Sequence, residues 1–294
     1  MSTISLDWTR RLALGTVQFG MDYGVSDHNA RVSTYETKKI VEYARSVGIS
    51  LIDTAKAYGN SEDVLGSIIL ESQLTFDVVS KLPPKCSPAK IGQYVEDSLD
   101  KFGADKVYGY LAHHFDDFKN TYFSDALIAA KNRGLVEKIG VSVYFPHELE
   151  WVLDTDSSID LVQLPLNVFD QRFLPMIPQL KERNIEVHAR SIFLQGLFFL
   201  PRDVILRRFP GAYQRYELFR QMCEDNSVSL HSALLNFGMA NESIDKVLIG
   251  VRSSEQLERN LHSYQDYEAC NRLAKEFSEL SMEDENIIIP FNWS

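Results

Sequence analysis

Val107-Tyr108-Gly109-Tyr110-Leu111-Ala112-His113 is a short apolar and aromatic run closed by an ionisable residue, and two earlier runs repeat the design. Ser50-Leu51-Ile52-Asp53 ends on a carboxylate and Phe76-Asp77-Val78-Val79-Ser80-Lys81 on an amine, with Tyr58 in the loop after the first. Each run reads as a β-strand, because aliphatic, β-branched and aromatic residues crowd a short window. In a parallel α/β barrel all strand C-termini share one rim. Asp53, Tyr58, Lys81 and His113 then converge on a single cavity although they are far apart in sequence.

The same alternation continues on both sides of these runs. Candidate strands lie near Leu12 to Phe19, Ser50 to Asp53, Phe76 to Lys81, Val107 to His113, Lys138 to Val143, Leu161 to Leu166, Glu186 to Ile192 and Lys246 to Gly250. The gaps carry helical periodicity. Thr37 to Val47 spaces Ile40, Val41, Ala44 and Val47 along one face, and Ser61-Glu62-Asp63 opens another helix with an N-cap residue and early acidic groups. Ala89 to Phe102, Tyr122 to Asn132, Pro146 to Leu153 and Ser254 to His262 follow the pattern. Strand, helix, strand with right-handed crossovers predicts an α/β fold of the (β/α)8 TIM-barrel class.

A chain of 294 residues with 45% apolar content and no linker-like stretch fits one barrel domain over residues 1–294. The seventh unit is long, with Asp203 to Ser227 inserted before a helix around Leu230 to Ala240. A C-terminal extension from Gln265 to Ser294 ends in Ile287-Ile288-Ile289-Pro290-Phe291-Asn292-Trp293. It either walls a pocket at the rim or caps the barrel bottom.

The balance of 30 basic against 41 acidic residues gives −11, which speaks against nucleic acid or an anionic membrane as partner. The first eight residues lack the sections of a secretion signal, and no apolar stretch is long enough to span a bilayer, so a cytoplasmic location is expected. Cys86, Cys223 and Cys270 are scattered without metal-ligand spacing, so neither a disulfide framework nor a metal is expected.

The chain resembles the aldo-keto reductases. The residues that carry the resemblance are Leu14-Gly15-Thr16-Val17-Gln18-Phe19-Gly20, Asp53-Thr54-Ala55-Lys56-Ala57-Tyr58-Gly59-Asn60-Ser61-Glu62, Ser80-Lys81-Leu82, Tyr110-Leu111-Ala112-His113-His114, Ile139-Gly140-Val141-Ser142, Val162-Gln163 and Gly250-Val251-Arg252-Ser253-Ser254-Glu255-Gln256-Leu257-Glu258-Arg259-Asn260. The resemblance implies hydride transfer from a nicotinamide nucleotide to a small-molecule carbonyl. It makes Tyr58 the general acid, Lys81 its neighbour, Asp53 the partner of Lys81, and His113 a contact of the carbonyl oxygen.

Elementary chemistry agrees with those roles. A phenol ordinarily titrates near pH 10, so a donor tuned to neutral pH needs stabilisation of its anion worth about 4 kcal/mol. An ammonium about 4 Å away supplies roughly that at an effective dielectric near 20. Asp53 keeps Lys81 charged where burial would neutralise it. His113 can donate a hydrogen bond to developing negative charge. His114, next along the strand, points to the opposite face if the strand continues.

For the cofactor, the resemblance implies that Gly15, Thr16, Ser142, Gln163, Arg190, Ser191, Gln195 and Gly250 line the nucleotide site. Arg252, Gln256 and Asn260 fall at near-helical spacing beside a helix start, a ready seat for an adenosine phosphate, which favours NADPH with NADH as the other candidate. The family often carries a second basic group where Gln256 stands, and Glu255 and Glu258 add negative charge. Ser142 is followed by Val143 instead of the family's asparagine. Arg190 stands where an aromatic residue commonly stacks on the nicotinamide, and a guanidinium plane can also stack on a ring.

Phe19, Tyr23, Tyr144, Phe145, Phe169 and Trp293 are candidates to line the substrate pocket. Val187-His188-Ala189-Arg190-Ser191-Ile192-Phe193-Leu194-Gln195-Gly196-Leu197 resembles a family branch associated with bacterial surface-sugar pathways, which suggests a sugar-derived aldehyde or ketone.

Three other chemistries use parts of this set. A Schiff-base aldolase would need Lys81 as a free amine, which Asp53 opposes. A metal hydrolase on His113, His114 and Asp53 would need adjacent strand histidines to face one ion. A nucleotide-binding regulator would keep the cleft and turn over slowly.

Overall fold

In the computed structural model, eight parallel strands close into one barrel in sequence order. They are Leu12–Gly15 (β1), Leu51–Asp53 (β2), Asp77–Lys81 (β3), Val107–Ala112 (β4), Val136–Ser142 (β5), Leu161–Pro165 (β6), Glu186–Arg190 (β7) and Lys246–Gly250 (β8). The described residues are 4–25, 30–155 and 158–293. Met1 to Thr3 and Ser294, at the ends of the chain, lie outside them. The pairing of Gly15 with both Asp53 and Gly250 closes the ring, so the (β/α)8 expectation holds.

Alternation of side chains sorts the barrel interior into layers. Ala13, Leu51, Val79, Leu111, Leu161 and Leu248 form an apolar middle layer. Toward the strand N-termini lies a polar cluster in which Tyr108 Oη donates to Glu186 Oε2 at 2.7 Å, Lys138 Nζ donates to Tyr108 Oη at 2.7 Å and to Glu186, and His188 Nε2 meets Glu186 Oε1 at 2.7 Å. Toward the C-termini, the last residues of six strands are Gly15, Asp53, Lys81, Ser142, Arg190 and Gly250. The main core lies outside the barrel, where residues such as Leu14, Ile52, Tyr110 and Ile249 meet the helices. Because both faces of every strand are covered, strand text is continuously apolar instead of alternating.

Two strands end earlier than their text suggests. After Gly15 the chain turns, Thr16 Oγ1 donates to Asp53 O at 2.9 Å, and Val17–Gly20 forms a helical turn. After Arg190 the backbone enters the left-handed region at Ser191 (φ 64°), Leu194 (φ 43°) and Gln195 (φ 51°), which no strand accommodates.

The helices Ile91–Phe102, Thr121–Asn132, Pro146–Asp154, Leu230–Ala240 and Ser254–His262 match expectation to within two residues at either end, and Thr34–Ser46 begins three residues early. The insertion folds as Arg202–Arg208 and Pro210–Asp225. Cys86, Cys223 and Cys270 are free. No helix among the described residues is long and apolar enough to cross a membrane.

Candidate active site

The ends of β2 and β3 build the centre. Lys81 Nζ donates to Asp53 Oδ1 at 2.6 Å and to Thr54 O at 2.9 Å, and reaches Tyr58 Oη at 3.5 Å. Gln163 Nε2, from β6, donates to the other Asp53 oxygen at 2.8 Å. Both members of the ion pair are buried, so each needs the other together with these hydrogen bonds. His113 follows β4 and sets its ring edge-on to Tyr58, centroids 5.8 Å apart. The four residues expected to converge do so.

Glycines fix where Tyr58 stands. A Cβ on Gly20 would lie 1.7 Å from Tyr58 O, and one on Gly59, at φ 57°, would lie 2.3 Å from Gly20 O. Two backbones therefore meet where no side chain fits. Ser61, expected as a helix cap, instead occupies the first turn of Ser61–Glu71 and donates to Thr16 O at 3.0 Å, which ties the Tyr58 loop to the end of β1.

Protonation differs from expectation in one respect. Burial, and next the Asp53 carboxylate, push the Tyr58 phenol above its ordinary value, with Arg190 only partly opposing. Burial pulls Lys81 down while Asp53 holds it up. The expected acidification of Tyr58 is therefore corrected. Lys81 is closer to a carboxylate than to the phenol, so the pair presents a dipole and not a free cation. Burial, then the Lys81 charge, lower His113 to about 3, so its ring is neutral and one nitrogen carries a proton.

These groups sit in a cleft of about 790 Å³ that also takes in Gly15, Thr16, Tyr23, Ser142, Tyr144, Gln163, Arg190, Ser191, Gln195, Gly250, Arg252, Gln256 and Asn260. The fit to a dinucleotide is testable on the cleft's own atoms. Gln18 Oε1, His113 Nδ1, Arg190 Nε and Arg252 Nη1 are all buried with no hydrogen-bond partner among the described residues, and all four belong to its lining. A long polar ligand along the cleft would meet them. Ser142 and Gln163 would hold a carboxamide, and Arg252 and Asn260 the adenosine end.

Several residues do something else as well. Gln256 Oε1 accepts from Arg252 N at 2.8 Å, and Asn260 Oδ1 pairs with His231. Glu36 Oε1 accepts from Ser254 N at 2.8 Å and Ser254 Oγ at 2.9 Å, so a carboxylate already sits on the helix start beside Arg252.

Four candidates for the pocket wall lie elsewhere. Phe19 is wholly buried, because the chain turns inward after Gly15, and Phe169 is buried against Phe198. Trp293 packs on Phe209 of the insertion at 5.0 Å and donates Nε1–H to Ile287 O at 3.0 Å, and Phe145 stacks on His147. The tail does reach the rim through Phe291, whose ring meets Tyr144 at 5.2 Å. His114 is exposed beyond the end of β4, with its ring 5.5 Å from that of His113. Sequence reading missed Gln18 and His231, the latter packed between Phe193 at 4.6 Å and Phe199 at 5.4 Å. A polar residue between Gly15 and Gly20 of the matched motif was the available signal for Gln18; for His231 there was none.

A family model described as the Aldo/keto reductase family matches residues 11–275. An uncharacterized oxidoreductase of Mycobacterium bovis is 32% identical over 143 residues, covering 46% of this chain and 42% of that protein. An aldo-keto reductase of Mycobacterium sp. strain KMS is 31% identical over 163 residues, covering 53% and 55%. The chain thus spans about half the length of the curated relatives it matches. The holo form of an aldo-keto reductase from Bacillus halodurans superimposes with a TM-score of 0.75 at 19% identity over 94% of both chains, a likeness of fold. The chain belongs to the aldo/keto reductase family.

Proposed function

We propose that this member of the aldo/keto reductase family reduces an aldehyde or ketone with a nicotinamide dinucleotide, with Tyr58 as proton donor. The observation that carries the reading is the buried Asp53–Lys81 pair reaching the Tyr58 hydroxyl at 3.5 Å inside a cleft with four orphaned polar atoms. When bound, the reduced nucleotide supplies a hydride to the carbonyl carbon. Everything else falls to the chain.

Tyr58, held neutral by burial, keeps its proton until the carbonyl oxygen gains charge. An alkoxide is more basic than a phenolate, so transfer from Tyr58 Oη to the developing alkoxide is favourable even though the phenol is not acidified. The phenolate left behind is stabilised by Lys81 Nζ, and Asp53 keeps that amine protonated. Neutral His113 can donate a hydrogen bond to the carbonyl oxygen without adding a charge of its own. The 2.6 Å pairing with Asp53 also disfavours a Schiff base at Lys81, which requires the free amine.

Arg252 favours NADPH as the nucleotide, while Glu36 on Ser254 opposes a 2′-phosphate. A sugar-derived carbonyl compound is the substrate class suggested by the β7 loop. The test is a titration of the purified protein with NADPH and NADH, followed by a screen of aldehydes, ketones and sugar derivatives. Tyr58→Phe should abolish reduction and leave nucleotide affinity nearly unchanged. Loss of both together would make Tyr58 a structural residue, and tight nucleotide binding with no substrate across the panel would favour a regulator.

A further inference from the structure

The cleft is basic in an acidic protein. Among the described residues its lining holds Lys81, Arg190, Arg252 and Arg259 against Asp53, in a chain of net charge −11. Asp53 neutralises Lys81. Arg252 and Arg259 belong to the segment that would take the adenosine end. Arg190 remains at the reaction end, at the last position of β7, with no carboxylate within 4.0 Å among the described residues.

Its posture is fixed by neutral groups. Nη2 donates to Val143 O at 2.9 Å, Nη1 donates to Ser191 Oγ at 3.3 Å, and the guanidinium carbon lies 4.0 Å from the centre of the Tyr144 ring. Nε is buried and has no hydrogen-bond partner among the described residues. Its charge is felt at Tyr58, Lys81, His113 and Tyr23, the residues around the proton donor. A half-buried, preorganised cation with spare hydrogen-bonding capacity calls for an anion from outside the chain.

Building on the reductase reading, we propose that Arg190 recognises a carboxylate on the substrate, so that the preferred substrates are carbonyl compounds bearing an acid group. Tyr144 supplies the flat surface that holds the guanidinium, and Phe291 supports that ring on its way to solvent.

The experiment compares matched pairs of equal shape: 4-carboxybenzaldehyde against its methyl ester, and succinic semialdehyde against its methyl ester. The wild-type protein should favour the acid of at least one pair by about 10- to 100-fold in kcat/KM. Arg190→Gln should bring that ratio close to one, read at saturating reduced nucleotide so that any change in nucleotide affinity cancels between acid and ester. Arg190→Lys should restore only part of the ratio, since an ammonium keeps the charge but not the planar fork.

Equal efficiency for acid and ester in both pairs overturns the proposal, as does a preference that survives in Arg190→Gln. A fall in rate in that variant that is equal for acid and ester also overturns it, because Arg190 then serves the nucleotide and not a substrate carboxylate. Calorimetry of 4-hydroxymethylbenzoate on the protein–nucleotide complex, wild type and Arg190→Gln, keeps the question separate from turnover. Should the nucleotide bind and no carbonyl compound be reduced, the reductase reading falls, while binding of the benzoate that depends on Arg190 still decides the anion site.

Discussion

Replacing Lys81 with Met separates the two roles assigned to its ammonium. The amine lies 2.6 Å from Asp53 and 3.5 Å from Tyr58 Oη, and all three groups are enclosed. At 3.5 Å and an effective dielectric near 20, its attraction for a phenolate is about 5 kcal/mol, and the nearby carboxylate offsets part of this. The chemical step should therefore slow by between about 100- and 1,000-fold, read as single-turnover oxidation of the bound nucleotide. Stability should fall as well, by about 3–5 kcal/mol in urea unfolding, because Asp53 is left as a buried carboxylate whose remaining side-chain donor among the described residues is the Gln163 amide. The double variant Asp53→Asn, Lys81→Met removes that stranded charge. It should recover most of the lost stability and none of the lost rate. Recovery of rate in the double variant would show that Lys81 acts only by balancing Asp53, and a single variant that loses under about 1 kcal/mol would show that the pair is not the electrostatic unit described.

Gly20→Ala places a methyl carbon where Tyr58 O now stands, so the Tyr58 loop must move; kcat should drop at least about tenfold with a stability loss of about 1–3 kcal/mol, measured by steady-state kinetics and urea unfolding. His113 titrates near 6.5 when unfolded and about 3 when folded, so well above pH 6.5 it contributes nothing to pH dependence. Between these values the unfolded chain takes up a proton that the folded chain refuses, and stability declines as pH falls. From pH 6.5 to 5 the decline from this group is about 2 kcal/mol, and His113→Asn should flatten that part of the urea-unfolding profile. Glu36→Gln keeps an acceptor for Ser254 but removes its charge, and should lower the dissociation constant of NADPH several-fold relative to NADH, read by nucleotide fluorescence.

The barrel was legible because its strands are buried on both faces and therefore stand out as unbroken apolar runs. Asp53, Lys81 and His113 were legible for the same reason, since an ionisable residue closing such a run has to sit at the rim. Positions governed by backbone direction were not. Phe19 reads as the continuation of a strand, but the turn at Thr16 swings it into the core, and Ser191 to Gln195 leave the strand through left-handed conformations that local composition does not announce. Trp293 and Phe291 are both aromatic residues near the end of an apolar tail. Trp293 is held away from the rim by Phe209, a residue 84 positions away that only the folded chain brings near, and Phe291 is the one that meets Tyr144. Glu36 was illegible because its partner, Ser254, comes from the other end of the chain.

The layer of Ala13, Leu51, Val79, Leu111, Leu161 and Leu248 has a further consequence. It works as an insulating diaphragm between two charged chambers, the reaction centre on one side and the Glu186 cluster on the other. Natural drift can rewrite the lower chamber to suit temperature or acidity without the upper one registering the change, so the thermal tolerance of this protein and the chemistry of its cleft are free to evolve on separate schedules.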